Sequence, residues 1–352
     1  MNEGVPGIQQ GVEAGTQTPL VSIISATYGH ENYIGDCIRS VKAQTYPYWE
    51  MLIVEDGSPD RTYETALSEA GEDPRIKIFH REHVGIFRLG ETYNDALSMA
   101  KGKYIAVLEG DDVWLPEKLA LQVAALESDP EAVMSWGRAY ACNRDLSERK
   151  SLLPVPRSDE SVYRNDPPGI LIPEFFFSLF IPALTLVFRR EALLSAGGFI
   201  QKYHLPLVDV TTCLAMLLKG RFVFIGEPLG CWRTYPDQTT KTHMVEMTKG
   251  FYQMAADFYD ENRHHPQLKA MDRSALDDYY RRKLIISYSR SGRFKLIRKD
   301  FRGARRDYIH SITFPGVKEP VWRLRSLTGL VFSLFHLNVE GLARRLGKVS
   351  YR

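Results

Sequence analysis

The sequence predicts a doubly wound, mainly parallel α/β sheet followed by an α-helical C-terminal extension. Three observations carry that prediction. Apolar runs without alternation recur at 20–25, 50–54 and 104–108, as strands covered on both faces require. Helix-period segments separate them, giving repeated strand–helix alternation over the first hundred residues. From about residue 244 the pattern changes to long helical segments with few β-branched residues.

Residues 20–25 (LVSIIS) read as the first strand, ending in the small, polar turn Ala26-Thr27-Tyr28-Gly29-His30. Ile34, Cys37, Ile38 and Val41 then share one helical face. A second strand over 50–54 ends in Glu55-Asp56-Gly57-Ser58-Pro59-Asp60, where Asp60 can cap a helix over 61–70. A strand over 75–80 and a helix over 91–100, stopped by Gly102, lead to the strand 104–108. That strand runs without a spacer into Glu109-Gly110-Asp111-Asp112. Pro116 is placed to open a helix over 117–126.

The middle is less regular. A strand is expected over 132–137, a long polar loop over 143–168, and a strand over 183–188. A short helix should stop at Gly197-Gly198. An apolar helix carrying Asp209 follows over 207–218, then strands over 221–225 and 229–235. The C-terminal helices are expected over 244–261, 273–291, 293–310 and 321–346. The domain boundary falls near 240–244, giving a catalytic unit over 19–243 and a basic helical region over 244–352, with 1–18 disordered.

Composition excludes several classes. The 352 residues are 44% hydrophobic and 25% charged, an ordinary globular balance. Four scattered cysteines form no CxxC, which fits a reducing compartment and argues against structural zinc. Residues 1–18 lack the basic start and apolar core of a signal peptide, and Pro173, Glu174 and Pro182 interrupt the most apolar stretch, 170–188. Net charge is +2, but residues 281–352 hold 18 Lys/Arg against four Asp/Glu, a balance of +14. The preceding residues hold 27 against 39, a balance of −12. A basic tail on an acidic body suggests that the tail meets something anionic.

The chemistry concentrates at strand ends, where open α/β sheets bind ligands. Carboxylates as close as those of Glu109, Asp111 and Asp112 repel unless a positive charge lies among them. A hard cation, Mg²⁺ or Mn²⁺, sharing its shell with substrate phosphates is one reading; a turn whose acids face water is the other. Tyr28 is placed to stack on a base, and Asp56 to accept from a base N–H or a ribose hydroxyl. There is no GxxxxGK[ST] and no GxGxxG after the first strand.

The segments VSIISATYGHENYIGDCIRSVKAQTYPYWEMLIVEDGSPDRT, GKYIAVLEGDDVWLPEKL and VFRREALLSAGGF, in that order, resemble the family 2 glycosyltransferases with the GT-A fold. The resemblance covers about residues 20–240. It implies a nucleotide diphosphate sugar donor, a divalent metal on its diphosphate, and inversion at the anomeric carbon. By position it implies donor contacts from Thr27, Tyr28, Asp56, Arg88, Asn94 and Asp111. It implies metal contacts from Glu109, Asp111 and Asp112, with Glu109 where Asp is more usual, and a catalytic base in Asp209. The chain departs from the family in three places: Val208 stands where Glu is common, Ala215 is nearest to a usual Arg, and Tyr235 stands where His is frequent.

The expected activity is therefore metal-dependent, inverting transfer of a sugar from a UDP-sugar (or a GDP- or dTDP-sugar) to a hydroxyl of a glycan or lipid-linked glycan, as in cell-surface polysaccharide synthesis. A polyprenyl-phosphate acceptor, or an inactive sugar-binding scaffold, are the rival readings. The expected setting is cytoplasmic, at the inner face of the membrane, with an anionic lipid surface, a second copy of the chain or the catalytic domain itself meeting the tail. No nucleic-acid partner is implied.

Overall fold

The computed structural model describes residues 18–178, 180–202 and 205–337. Among these, nine strands form one sheet: β1 (Val21–Thr27), β2 (Trp49–Glu55), β3 (Ile76–His80), β4 (Tyr104–Val107), β5 (Val113–Trp114), β6 (Ala132–Cys142), β7 (Arg149–Leu153), β8 (Val187–Arg189) and β9 (Arg221–Arg233). The order is β3-β2-β1-β4-β8-β6-β9-β5, with β7 on β6. The pairs β1–β2, β2–β3, β1–β4 and β6–β9 are parallel; β5, β7 and β8 pair antiparallel. Thr27, Glu55 and His80 are in register, so the carboxyl ends of the first three strands form one edge.

Successive residues of each central strand enter opposite layers, which is why these strands lack alternation in sequence. Ile24, Leu52, Val54, Ile105 and Val107 face one layer; Ile23, Met51, Ile53, Tyr104 and Ala106 face the other. The helices α1 (Ile34–Lys42), α2 (Thr62–Ala70), α3 (Leu89–Met99) and α4 (Lys118–Ser128) cover the sheet in chain order. α1, α2 and α4 contribute Ile38, Ala66 and Val123 to the second layer; α3 contributes Ala96 and Leu97 to the first. Short helices α5 (Ile172–Phe177) and α6 (Arg190–Ser195) precede α7 (Val208–Met216), whose Val208, Cys213 and Leu214 join the first layer. The helices α8 (Thr239–Thr242), α9 (Met244–Glu261), α10 (Pro266–Lys269), α11 (Arg273–Ile297), α12 (Phe301–Thr313) and α13 (Pro320–Leu334) follow. Met254, Ala255, Leu276 and Tyr280 from α9 and α11 complete the first layer, so the C-terminal helices share its core.

Several expected elements differ. Pro116 precedes the N-cap Glu117 of α4 instead of sitting in its first turn. The expected loop 143–168 contains β7, because β6 runs on to Cys142 and offers it an edge. The two expected strands of 221–235 are one strand, β9, paired along β6 with register shifts that absorb Gly226 to Pro228. The expected strand over 183–188 begins as a helical turn, leaving Val187–Arg189 extended. α11 does not break at Gly292. That residue is buried in mid-helix, where a Cβ would lie 2.8 Å from the Tyr308 ring, and the chain turns instead at Lys299, whose φ is 65°. α13 ends at Leu334; the rest of the expected helix 321–346 from 338 on, like the expected disorder of residues 1–17, lies outside the described residues.

Candidate functional site

A cleft of about 270 Å³ opens over the carboxyl edge of the parallel strands. Thr27 and Tyr28 enter it from the end of β1, Asp56 from β2, and Glu109, Asp111 and Asp112 from the turn after β4. Asp209 enters from the first turn of α7, and Trp232, Tyr235 and Gln238 from the end of β9 and the loop beyond. Gly110 makes the acidic turn fit: a Cβ there would lie 2.4 Å from Thr27 Oγ1 and 2.9 Å from His30 Nδ1.

One oxygen each of Glu109, Asp111 and Asp112 lies within 4.8 Å of the others. Their neighbours are mostly neutral donors. The Tyr93 hydroxyl donates to Glu109 Oε1 at 3.4 Å, the Tyr235 hydroxyl to Asp111 Oδ2 at 2.9 Å, and the Arg233 amide to Asp112 Oδ1 at 2.8 Å. The Arg233 guanidinium binds the Asp111 carbonyl at 2.6 Å and Asp36 Oδ2 at 2.9 Å, so it holds the backbone behind the cluster. Asp112 Oδ2 is buried without a hydrogen-bond partner. Burial, then Asp111 and Asp209, push the Glu109 carboxyl up to about 8; burial, then Asp111 and Glu109, push Asp112 well above its ordinary range. An all-oxygen anionic donor set with one buried oxygen lacking a donor fits a hard divalent cation.

Asp209 is half-buried at the start of α7. Burial raises its carboxyl to about 6, against the lowering effect of the Val210 and Asp209 amides. Its charge acts on Glu109, which places the two carboxyls in one field. Val208 beside it is buried in the core and offers the cleft nothing polar.

At the other end, Tyr28 is 41% exposed and stacks on His83 with ring centroids 4.1 Å apart. Asp56 lines the cleft, but its carboxylate is already engaged. Oδ1 accepts from Arg81 Nε at 2.9 Å and the Val84 amide at 3.1 Å. Oδ2 accepts from the Gly85 amide at 2.9 Å, and His83 Nδ1 lies 2.9 Å from Oδ2 and 2.9 Å from the Asp56 carbonyl. Burial alone would raise this carboxyl, yet the Gly85 amide, Arg81 and the Val84 amide hold it below the ordinary range. In the structure these bonds order the loop after β3, and most of the acceptor capacity of Asp56 is taken up by them.

Two expected donor contacts are not brought to the cleft. Arg88 forms a surface fork with Glu91, at 2.9 and 2.5 Å. Asn94 clamps the backbone of Phe199, donating to its carbonyl at 2.8 Å and accepting from its amide at 2.8 Å. His243 packs edge-on to Phe87 and is not among the side chains gathered at the acidic cluster. Residues that the sequence reading did not assign are His30, Tyr93, His83 and Arg233. The end of β3 was the available signal for His83, since it is a fourth parallel strand end beside the three already weighed.

Comparison with known proteins bears on the family and the fold. The model of "Glycosyl transferase family 2" matches residues 22–183. A Bacillus subtilis protein, TuaG, named as a proposed teichuronic acid biosynthesis glycosyltransferase, is 38% identical over 203 residues, covering 57% of this chain and 73% of TuaG. The chain belongs to glycosyltransferase family 2. A second relative of this enzyme is the UDP-Glc:alpha-D-GlcNAc-diphosphoundecaprenol beta-1,3-glucosyltransferase WfgD of Escherichia coli, 38% identical over 107 residues, which span 30% of this chain and 41% of WfgD. Among solved structures, the mannosyltransferase PcManGT of Pyrobaculum calidifontis, in complex with GDP-Man and Mn²⁺, shares the fold. Its TM-score is 0.53 at 16% identity, over 91% of this chain and 88% of that one.

Proposed function

We propose that this glycosyltransferase is a metal-dependent, inverting enzyme that moves a sugar from a nucleotide diphosphate sugar to a hydroxyl of a glycan or lipid-linked glycan in cell-surface polysaccharide synthesis. The observation that carries the reading is one cleft holding both a three-carboxylate cluster with an orphaned buried oxygen and a separate carboxylate raised to about 6. Glu109, Asp111 and Asp112 would hold Mn²⁺ or Mg²⁺. When bound, such a cation neutralises the donor diphosphate that departs as the leaving group.

Asp209 takes the proton of the acceptor hydroxyl as its oxygen bonds to the anomeric carbon and the carbon–diphosphate bond breaks on the opposite face. A carboxyl near 6 is ionised at neutral pH yet basic enough to help, which matches general-base work. That poise favours a hydroxyl over a phosphate acceptor, because a phosphate oxygen is already anionic and needs no base. Thr27, Tyr28 and Asp56 form the nucleoside end with His83, where the Tyr28 ring offers a stacking face. The names of TuaG and WfgD support a cell-envelope glycan acceptor, and WfgD supports a UDP-sugar as the favoured donor. Four buried, free cysteines support a reducing, cytoplasmic setting. The unit over 19–243 would carry the chemistry, with the helices from 244 as an extension.

The test is release of nucleoside diphosphate from UDP-, GDP- and dTDP-sugars, with and without Mn²⁺, in the presence of a lipid-linked glycan acceptor. Metal-dependent transfer to a hydroxyl, with inverted anomeric configuration, is the expected result. Absence of metal-dependent turnover with every donor would leave a sugar-binding protein.

A further inference from the structure

α13 meets the body through a narrow face of small residues flanked by the partly buried Leu330 and Phe332. Its small residues Ser326, Gly329 and Ser333 are buried against the body. Ser326 Oγ donates to Ser311 Oγ of α12 at 2.8 Å, and a Cβ on Gly329 would lie 2.2 Å from Tyr308 Cζ of the same helix. The opposite face, at helical spacing, carries Val321, Leu324, Leu327, Val331, Leu334 and, just past the end, Phe335. All six are exposed, Leu324 to 65% and Phe335 to 71%. A helix whose only partner were its own fold would turn that stripe inward. Six large apolar side chains in one stripe are a contiguous patch, and such patches mark interaction sites.

The two helices that end the described chain expose several bases. Arg302 and Arg306 of α12, Lys318 before α13 and Arg325 on it are exposed. Three described acids of residues 281–337 offset these bases only in part: Glu319, half-buried at the start of α13, and the two that follow. Asp307 is buried and bound by Ser291 and Lys295, and Asp300 caps α12 through the Gly303 amide.

We propose that the exposed apolar face of α13 docks this enzyme onto an anionic lipid bilayer, with the helix lying in the interfacial plane and these arginines and lysine at the headgroups. Charge decides between lipid and a second copy of the chain. Two copies meeting through this stripe would bring two sets of exposed bases together, whereas an anionic leaflet attracts each base. Spanning is excluded for α13, since among the described residues no helix is long and apolar enough to cross a membrane. The inference rests on the helix and its charges, and stands whether or not the proposed acceptor is lipid-linked.

The test is co-sedimentation of the full-length protein with vesicles of phosphatidylcholine alone and with about a third phosphatidylglycerol, at about 0.1 M and about 1 M salt. Two variants accompany wild type: Leu324→Ser/Leu327→Ser/Val331→Ser, and Arg302→Gln/Arg306→Gln/Lys318→Gln/Arg325→Gln. Wild type should bind the anionic vesicles at low salt, and each variant, like high salt, should weaken binding about tenfold or more. Melting temperature and nucleotide binding in solution should stay at wild-type values, since the substituted side chains are exposed and lie outside the cleft. Failure of wild type to bind anionic vesicles at low salt overturns the proposal, as does a triple-serine variant that binds like wild type. Light scattering assigns the face in that event. A dimer that the triple-serine variant converts to monomer makes it a contact between copies, and a monomer under both conditions leaves it to cover by residues 338–352.

Discussion

Replacing Asp209 by Asn should make the enzyme almost inactive and more stable at the same time. The amide keeps the size of the carboxyl and cannot take a proton, so turnover should fall by about 10²–10⁴ with donor affinity unchanged. The stability gain follows from the carboxyl's raised pKa. Burial lifts it from 3.8 to about 6, roughly two pKa units at ~1.4 kcal/mol each, a ceiling of about 3 kcal/mol that partial exposure reduces toward 1. The sign is that of a raised acid. The folded state binds the proton more tightly than the unfolded chain, so the favourable contribution is complete below about 3.8 and is lost as pH rises through about 6. At pH near 7.5 wild type therefore carries the full cost of a charged Asp209, and the Asn variant does not.

The assay is thermal unfolding in chelator across about pH 5 to pH 8, beside nucleoside diphosphate release with metal. The variant should melt higher by an amount worth roughly 1–3 kcal/mol at pH near 7.5, and the gap should shrink toward pH 5. Wild-type turnover should rise with pH and level off above about 6. Two results would refute the reasoning. Turnover above about a tenth of wild type would fall outside general-base magnitudes. A variant that melts lower at pH 7.5 would make Asp209 a stabilising charge at the N-terminus of α7.

Asp111→Ala should remove the metal dependence of UDP and GDP binding, so that calorimetry with and without Mn²⁺ gives equal affinities; an undiminished Mn²⁺ effect would take Asp111 out of the metal set. Asn94→Ala should lower stability by about 2–3 kcal/mol, since it strips both hydrogen bonds from the Phe199 backbone, while leaving donor affinity unchanged. Weaker donor binding with an unchanged melting temperature would restore the donor-contact reading. Gly110→Ala should cost roughly 1–3 kcal/mol through the 2.4 Å approach to Thr27 Oγ1, read as a lower urea midpoint.

The parallel half of the fold was legible because each strand buries both faces, which writes an unbroken apolar run into the sequence. The acidic turn was legible because its three carboxylates are neighbours in sequence. What escaped depended on contacts between distant segments. Nothing near Asn94 says that its amide meets Phe199, 105 residues away. Asp56 reads as an open acceptor until the loop after β3 folds back and supplies Arg81, His83 and two amides. The antiparallel elements were hard for a related reason: β7 is half-exposed or more along its length, so its strand character comes from the edge that β6 offers. Gly292 misled because a glycine in a helical pattern signals a stop unless a neighbour needs the space, and Tyr308 takes that space.

The departures from the family pattern bear on the ligand set in a definite direction. Tyr235 reaches Asp111 from the loop after β9, so this loop folds over the acidic cluster even without the family's His. An imidazole there would offer a lone pair to a cation. A phenol instead donates its proton to Asp111 Oδ2, and burial beside Asp111 drives its own pKa far above the ordinary tyrosine value, so it stays neutral. His243, further along the chain, is not gathered with the three carboxylates and packs on Phe87. In the proposed site the protein's share of a cation shell would be carboxylate oxygens, with Tyr235 donating to Asp111 instead of serving as a ligand. Such a set favours hard, oxygen-seeking Mg²⁺ and Mn²⁺ over zinc, for which imidazole is the better partner. Arg233 completes the arrangement from behind: by holding the Asp111 carbonyl and the Asp112 carboxylate through its side chain and its amide, it fixes both acids on one turn and leaves Asp112 Oδ2 unpartnered, where the proposed cation would bind.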